Sequence, residues 1–333
     1  MFYKLAMQPF RVTPVVALLG AVAAASPAPA KGTGLVFVSN EKSSNLIVLD
    51  PKSFAVVKDL RTGERPRDMH FNAEHTLLYV ACGDEDAIDA IDVAKLEVVD
   101  RIPTGASPEA FALDEARQRL YVSNEEGSSL RIIDMAQKTA VADIATGAEP
   151  EGVLLADDGR TLYVTSEVAD MAHVIDPAKA AIVDNIVVGT RPRRFALTPD
   201  GKQLWVSTEL AGAVSVIDRA SNAVAAHLMF DPPGMRQSDV TPVGLAIASD
   251  GKTGFVALGH ANRVAVVDVA TRKPTDYILV GSRPWGLQLS RDGTRLYVAN
   301  GLSDDITVID IARHEPIISI PVGRVPYGVA VDD

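Results

Sequence analysis

Apolar and polar residues alternate in short runs along most of the chain, and the runs repeat. The segments "LVFVSNEK" from Leu35, "RLYVSNEE" from Arg119 and "RLYVANGL" from Arg295 place alternating apolar residues before a polar turn. Four further copies begin at Leu77, Thr161, Gln203 and Thr253. Alternation with a period of two, rich in β-branched and aromatic residues, predicts β-strands. After residue 30 no stretch has a convincing helical period.

Two independent markers show the same repeat length. One proline occurs in each unit, at intervals of 42 residues with a single interval of 50: Pro66, Pro108, Pro150, Pro192, Pro242, Pro284 and Pro326. An aspartate that ends a "VID"-like strand has the same spacing: Asp50, Asp92, Asp134, Asp176, Asp218, Asp268 and Asp310. Four short strands in a unit of this length are the signature of a propeller blade.

The ends of the chain predict how the ring closes. The first unit begins at Gly34 with a second strand, whereas the chain ends on "PYGVAVDD" (326–333), a first strand without the rest. The C-terminal strand should complete the N-terminal blade and remove the open sheet edges. We therefore predict an all-β fold, a seven-bladed β-propeller of four-stranded antiparallel blades. It forms a single domain over residues 31–333, with the extra residues at 229–240.

Residues 1–30 have the features of a cleaved signal peptide. Lys4 and Arg11 precede and flank the apolar run "VTPVVALLGAVAAA", and "APA" (28–30) fits a cleavage site. The run is too short to span a bilayer, so we expect a periplasmic protein without a membrane span in the mature chain. An uncleaved anchor is the alternative. Cleavage removes two positive charges and no acid, which takes the net charge from −11 to −13. Such a charge argues against nucleic acid as a partner.

The seven copies act as an internal control, because a residue type that recurs at one position belongs to the blade. The recurring aspartates should accept backbone N–H groups in turns. Six aromatic residues share one strand position and are predicted to form the core between blades: Tyr79, Tyr121, Tyr163, Trp205, Phe255 and Tyr297. Cys82, the single cysteine, excludes an internal disulfide, and we expect a small semi-buried side chain there.

The innermost strands should line a central channel. Alternation directs the residues two and four positions after each proline toward the axis. Most of them are small, as converging strands require, and the exceptions are Asp68, His70, Arg194 and Gln288. Two interpretations stay open here: a functional site, or an Asp68–Arg194 ion pair in a water-filled channel.

One face of the predicted propeller is dense in charge. The loops before the first strands supply arginines, with two aromatic residues: Arg65, Arg67, Arg191, Arg193, Arg194, Arg283, Trp285 and Tyr327. Glutamates occupy the neighbouring loops, among them Glu109, Glu151, Glu167 and Glu209. Arginines near aromatic rings could clamp and stack on a planar polycarboxylate. Solvated Arg–Glu pairs are the alternative. The insertion should bring Met235 and Arg236 to the same face.

Motifs for catalysis and metal binding are weak. The six histidines show no H-x-H or H-x-x-x-H spacing, and the sequence has no G-x-S-x-G segment. We therefore assign no catalytic residue and no metal ligand, although oxygen ligands at the channel mouth leave a Ca²⁺-like ion open. The residues predicted to bind a ligand or partner are Arg65, Arg67, Asp68, His70, Arg191, Arg193, Arg194, Arg236, Arg283, Trp285 and Tyr327.

The segments "LYVSN", "LYVTS" and "LYVAN" resemble the YVTN-type β-propeller repeat over nearly all of residues 34–333. In length, leader and layout the chain is also similar to periplasmic propellers encoded beside pyrroloquinoline quinone (PQQ)-dependent alcohol oxidation. Because catalytic motifs are weak, we predict a non-catalytic exported protein that binds through its charged face. The resemblance implies a place in PQQ-linked alcohol oxidation, with PQQ as a candidate cofactor. The partners it implies are a PQQ-dependent dehydrogenase, cytochrome c or ABC transporter components. YVTN-like propellers also include sugar-lactone hydrolases, so a lactonase is the alternative function.

Overall fold

A computed structural model describes residues 1–2, 32–156 and 159–333. The predicted signal peptide, residues 1–30, lies outside these ranges apart from Met1 and Phe2. The described residues contain 28 β-strands in seven four-stranded antiparallel sheets. The predicted seven-bladed β-propeller is confirmed.

Each blade is a meander from an innermost first strand to an outermost fourth strand. The strands of blades 1 to 3 are β1 (Val36–Asn40), β2 (Asn45–Leu49), β3 (Val56–Arg61), β4 (Pro66–Phe71), β5 (Leu77–Cys82), β6 (Ala87–Asp92), β7 (Glu97–Pro103), β8 (Pro108–Asp114), β9 (Arg119–Asn124), β10 (Ser129–Asp134) and β11 (Thr139–Ala145). Those of blades 4 and 5 are β12 (Pro150–Leu155), β13 (Leu162–Ser166), β14 (Met171–Asp176), β15 (Ala181–Val187), β16 (Pro192–Leu197), β17 (Gln203–Thr208), β18 (Ala213–Asp218) and β19 (Ala223–Met229). Those of blades 6 and 7, with the closing strand, are β20 (Leu245–Ile247), β21 (Thr253–Ala257), β22 (Arg263–Asp268), β23 (Lys273–Leu279), β24 (Pro284–Leu289), β25 (Arg295–Asn300), β26 (Asp305–Asp310), β27 (Glu315–Pro321) and β28 (Pro326–Val331). Three short 3-10 turns lie at Gly83–Glu85, Gln237–Asp239 and Gly259–Ala261.

The ring closes as the sequence predicts. Strand β28 pairs antiparallel with β1, which makes blade 1 from both ends of the chain. Val331 lies opposite Val36, and both side chains are buried. Beyond the strand, the Gly34 N–H donates to the Asp332 carbonyl at 2.7 Å. The edge of β1 is therefore not left open at this seam.

Seven apolar clusters, one between each pair of neighbouring blades, form the core. The cluster between blades 5 and 6 contains Trp205, Val214 and Val256, and the cluster between blades 7 and 1 contains Tyr297 and Val38. All six predicted aromatic residues are buried. Their strand position therefore belongs to the scaffold.

The recurring aspartates form turns, as predicted. The Asp50 carboxylate accepts the N–H groups of Lys52 and Ser53 at 2.9 and 2.7 Å. Equivalent bonds occur after the third strand of the six other blades, at Asp92, Asp134, Asp176, Asp218, Asp268 and Asp310. These carboxylates stabilise the turn and do not point to a ligand site.

The extra residues lie between β19 and β20 and are packed onto the blades. Phe230 and Val240 are buried in the cluster between blades 5 and 6, and Met235 packs against it. The following innermost strand, β20, is reduced to three residues. The insertion is therefore anchored beside the ring by its own apolar side chains.

Cys82 is more enclosed than expected. It ends β5 with no exposed surface, and burial, reinforced by the negative charge of Asp89, raises the pKa of its thiol. A thiol held protonated in this way is a poor nucleophile.

In the described ranges no helix is long and apolar enough to cross a membrane.

Candidate functional site

The innermost strands enclose a channel of about 660 Å³. Glycine and alanine line much of its wall because the strands converge there. The lining includes the four polar exceptions predicted from the repeat, Asp68, His70, Arg194 and Gln288, together with Trp285 and Tyr327. The structure therefore brings the four departures from the repeat into one cavity.

Asp68 and His70 form a pair inside the channel. The Asp68 Oδ2 lies 3.0 Å from the His70 Nε2 and also accepts the Phe111 N–H at 3.1 Å. The imidazole ring packs edge-on against the Phe111 ring. The channel walls partly remove both groups from water, which disfavours their charged forms, but the mutual attraction outweighs this effect, so the pKa of Asp68 is lowered and the pKa of His70 is raised.

Arg194 lies in the same cavity and pairs with a different carboxylate. Its Nη1 is 3.0 Å from the Glu151 Oε2, and its guanidinium stacks over the Tyr327 ring. The Asp68–Arg194 ion pair, one of the two interpretations that the sequence leaves open, is not formed, because Asp68 pairs with His70 and Arg194 with Glu151. The positive charge of Arg194 still acts on the dyad, where it opposes the rise in the pKa of His70.

At the charged face, six arginines and six glutamates form an ion-pair network, which we call the mouth cluster. Its members are Arg65, Arg67, Arg191, Arg193, Arg194, Arg283, Glu41, Glu109, Glu125, Glu151, Glu167 and Glu209. Arg193 contacts three of the glutamates, Glu151, Glu167 and Glu209. The Arg193 side chain is only 7% exposed, so these are buried ion pairs and not solvated surface pairs.

Two neighbouring carboxyl groups of the mouth cluster, those of Glu151 and Glu167, have widely different pKa values. Burial opposes ionisation of Glu151, but the charges of Arg193 and Arg194 outweigh it and lower its pKa to about 2. Burial, together with the negative charge of Glu151, raises the pKa of Glu167 to about 8. At neutral pH Glu167 therefore holds a proton beside the Glu151 carboxylate.

The two aromatic side chains at the mouth serve as stacking surfaces for the protein's own arginines. Arg193 and Arg283 lie over the Trp285 ring, at 5.3 and 4.7 Å from its centroid. Arg67 and Arg194 lie over the Tyr327 ring. Both rings are therefore in contact with guanidinium groups of the protein itself.

Side-chain exposure increases along the channel away from the charged face. At the mouth Glu109 and Glu151 are 0% and 1% exposed, whereas Asp68 is 26% and His70 is 46% exposed. His70 lies two residues further along β4 than Asp68. The Asp68–His70 pair is therefore more accessible than the Glu109 and Glu151 carboxylates of the mouth cluster.

Arg236 is the one predicted site residue that falls outside both groups. It lies in the insertion, is 84% exposed, and pairs with Asp239. The remaining predicted residues either line the channel or belong to the mouth cluster and its two aromatic rings. Sequence reasoning did not assign the buried glutamates to the site, although their position in the same loops as the arginines was visible in the repeat.

The fold and the site define a seven-bladed β-propeller with a polar channel and a cluster of buried ion pairs at one mouth. The chain belongs to the YNCE-like beta-propeller family, whose sequence model matches residues 30–198. A second family model, described as lactonase, 7-bladed beta-propeller, matches residues 185–319. No curated protein matches the chain significantly.

Solved structures share the fold at low sequence identity. The Kuenenia stuttgartiensis hydrazine synthase structure aligns with a TM-score of 0.76 at 20% identity, covering 89% of this chain and 99% of that one. A provisional 6-phosphogluconolactonase from Bacteroides fragilis aligns with a TM-score of 0.75 at 18% identity, covering 90% and 98%. A second one, from Bacteroides uniformis, gives 0.74 at 16%, covering 89% and 99%. At these identities the likeness concerns the fold alone.

Within the ranges that the structure describes, no group of three or more His, Cys, Asp or Glu side chains is arranged to hold a metal ion. The oxygen atoms of the mouth cluster are engaged by arginine. The polar groups of the channel, in contrast, include a His–Asp pair in contact with accessible space.

Proposed function

We propose that the protein is a hydrolase of a small sugar lactone and that the reaction takes place in the channel. One observation carries the proposal: the Asp68–His70 pair, 3.0 Å apart, lies in a cavity of about 660 Å³ under the positive charge of Arg194. A nucleophile-activating base, a residue that orients it and a cation are the groups that ester hydrolysis requires. The other channel positions are mainly glycine, alanine and leucine.

The roles follow from the hydrogen bond. Asp68 accepts from the His70 Nε2–H, which leaves Nδ1 as the nitrogen that can take a proton from water. The water oxygen then bonds to the lactone carbonyl carbon, and the negative charge that develops on the carbonyl oxygen is stabilised by Arg194. When the ring C–O bond breaks, the imidazolium returns its proton to the leaving alkoxide, and the product is a hydroxy acid. Asp68 is a positioning residue in this scheme.

The comparisons support the same reaction class. The lactonase family model covers the C-terminal part of the chain, and two of the similar folds carry a provisional lactonase assignment. A lactone fits the channel better than the mouth, because the channel holds polar groups in contact with accessible space. The arginines of the mouth are already paired with glutamates.

Hydrolysis of δ-gluconolactone and of 6-phosphogluconolactone, followed by acid release, tests the proposal. His70→Ala should lower kcat/KM by about 10²-fold or more, the usual contribution of a general base. His314→Ala is the matched control, because His314 also pairs with an aspartate, Asp276, at 3.0 Å. That variant should hydrolyse both lactones like the wild type. Absence of turnover with both lactones, or equal activity of His70→Ala and the wild type, contradicts the proposal.

A binding role in PQQ-linked alcohol oxidation in the periplasm is a second candidate. The observation that favours it is the insertion, in which Phe230 and Val240 are anchored in the core while Arg236 is 84% exposed. Functional loops on rigid scaffolds are often built in this way. The test is copurification with a dehydrogenase, a cytochrome c or transporter components from periplasm. Arg236→Glu should lose the partner. Arg313→Glu is the control and should keep it, because Arg313 is also well exposed, at 75%, and pairs with an aspartate three residues before it, Asp310.

A further inference from the structure

One position of the repeat shows a gap at the mouth. The residue that follows the second strand is glutamate in four blades, and each of these glutamates pairs with an arginine of the mouth cluster. The pairs are Glu41–Arg67 at 2.7 Å, Glu125–Arg65 at 3.7 Å, Glu167–Arg191 at 2.6 Å and Glu209–Arg193 at 2.7 Å. In the three other blades the same position is glycine: Gly83, Gly259 and Gly301.

Two of these glycines have their side-chain space occupied. A Cβ on Gly83 would lie 2.4 Å from the Arg65 Nε, and a Cβ on Gly259 would lie 2.1 Å from the Thr241 Oγ1. On Gly301 the nearest atom to a Cβ would be the Pro326 carbonyl oxygen at 3.5 Å, an ordinary contact. The space that a glutamate side chain fills in four blades is therefore open in blade 7.

A pocket of about 190 Å³ lies beside Gly301; it shares Trp285 and Tyr327 with the channel lining but does not include Asp68, His70 or Arg194. It is lined by Glu41, Arg67, Arg283, Trp285, Gly301, Leu302, Val325, Pro326 and Tyr327. One side of the lining is cationic and the other is apolar. Such a surface matches a ligand with one anionic end and an apolar body.

Two hydrogen-bond donors in the pocket lining lack a partner. Tyr327 is 5% exposed, and its Oη has no hydrogen-bond partner among the described residues. The Trp285 Nε1 is likewise buried and without a partner in this part of the chain. Buried donors of this kind carry a free-energy cost unless a ligand or water accepts their hydrogen bonds. The ring faces are stacked on arginines, but the polar atoms are not used.

We propose that this pocket binds a small monocarboxylate with an apolar body, and that the ligand carboxylate takes the place of the glutamate missing at position 301. Arg67 and Arg283 line the pocket and supply positive charge, while each also keeps an ion pair with a glutamate. Trp285 Nε1 and Tyr327 Oη are the donors without a partner among the described residues. The apolar body lies against Leu302 and Val325. Glu41 disfavours a second negative group. This binding site is independent of the proposed hydrolysis in the channel.

Titration with benzoate, read by tryptophan fluorescence, tests the proposal. Trp205 is fully buried between blades, so a change in emission reports on Trp285, the other tryptophan. Benzoate should change the emission saturably, and the uncharged benzamide should not. Lack of a saturable change with benzoate, or an equal response to benzamide, overturns the proposal.

Variants at the gap separate binding from folding. Gly301→Glu should fill the space with the protein's own carboxylate and weaken benzoate binding at least about tenfold. Gly301→Ala adds only a Cβ, which fits, and should bind like the wild type. Tyr327→Phe removes one unpaired donor and should weaken binding severalfold without lowering the melting temperature. Unchanged affinity in both Gly301→Glu and Tyr327→Phe overturns the proposal, whereas His70→Ala should bind benzoate normally whatever its activity.

Discussion

Val329, near the end of the chain, lies directly opposite Val38 of the first strand, and both side chains are buried in the cluster between blades 7 and 1. This pairing joins the two ends of the chain in blade 1. The core of that seam is therefore shared between residues far apart in sequence.

Deletion of residues 325–333 should abolish cooperative thermal unfolding or cause aggregation. The deletion removes the buried Val329 and Val331, each worth about 1.5–3 kcal/mol, from a total stability of typically roughly 5–15 kcal/mol. It also exposes the edge of β1. Differential scanning calorimetry measures the transition, and deletion of Asp333 alone is the control. A truncated protein that melts like the wild type would show that blade 1 does not need β28.

The Asp68–His70 pair should give opposite pH dependences of stability and activity. Because the pKa of His70 is raised above its ordinary 6.5, the pair stabilises the fold fully below pH 6.5 and loses this contribution as the pH rises through the raised pKa. Lactone hydrolysis should increase over the same range, since the base must be neutral. Asp68→Asn removes the attraction that raises this pKa, so the midpoint of its pH–rate profile should move to lower pH. An unchanged midpoint would argue against the pair as the base.

Glu167→Gln should make the melting temperature less dependent on pH. The pKa of Glu167 is raised to about 8, so its contribution is present below its ordinary pKa of 4.5 and is lost as the pH rises toward 8. The amide cannot ionise and should retain stability over that interval. Glu151→Gln should instead lower the melting temperature near neutral pH, because Arg193 and Arg194 lose a buried counter-charge. If both variants follow the wild-type curve, the two carboxyl groups are not coupled.

Gly254→Leu should destabilise the protein by about 1–3 kcal/mol through overpacking. A Cβ at position 254 would lie 2.8 Å from the Trp205 Cζ3, so the glycine makes room for the indole of the preceding blade. Five other blades have leucine at this strand position opposite smaller aromatic rings: Leu78, Leu120, Leu162, Leu204 and Leu296. The double variant with Trp205→Tyr should recover much of the loss, and chemical denaturation of the four proteins measures the coupling. Additive losses would contradict this explanation of Gly254.

Much of the fold could be predicted because the sequence pattern of a blade occurs seven times along the chain. The prolines, the turn aspartates and the aromatic core position fixed the strand order and the closing strand. The insertion was predicted by length, but its packing was not. Phe230 and Val240 show no periodicity, and only the three-dimensional neighbours of the segment reveal where they are buried.

The sequence predicted which residues form the candidate site but not which of them pair with each other. The repeat identified Asp68, His70 and Arg194 as departures, and the structure brings them into one channel. Which acid pairs with which base depends on side-chain reach across the ring, and Arg194 reaches Glu151 of the neighbouring blade. The sequence does not reveal the gap at Gly301, because Gly83 and Gly259 occupy the same repeat position and the side-chain space beside them is filled by Arg65 and Thr241.

The bond between the Gly34 N–H and the Asp332 carbonyl means that the two ends of the propeller lie side by side. The packing of the blades therefore does not depend on which blade comes first in the chain. The position of the chain ends alone sets the order of the blades in the sequence. A circular permutant that starts at Pro66, with a short linker from Asp333 to Gly34, would supply every blade from consecutive residues. It would keep the native contacts while replacing the most distant strand pairing by a local one, and should fold faster than the natural order.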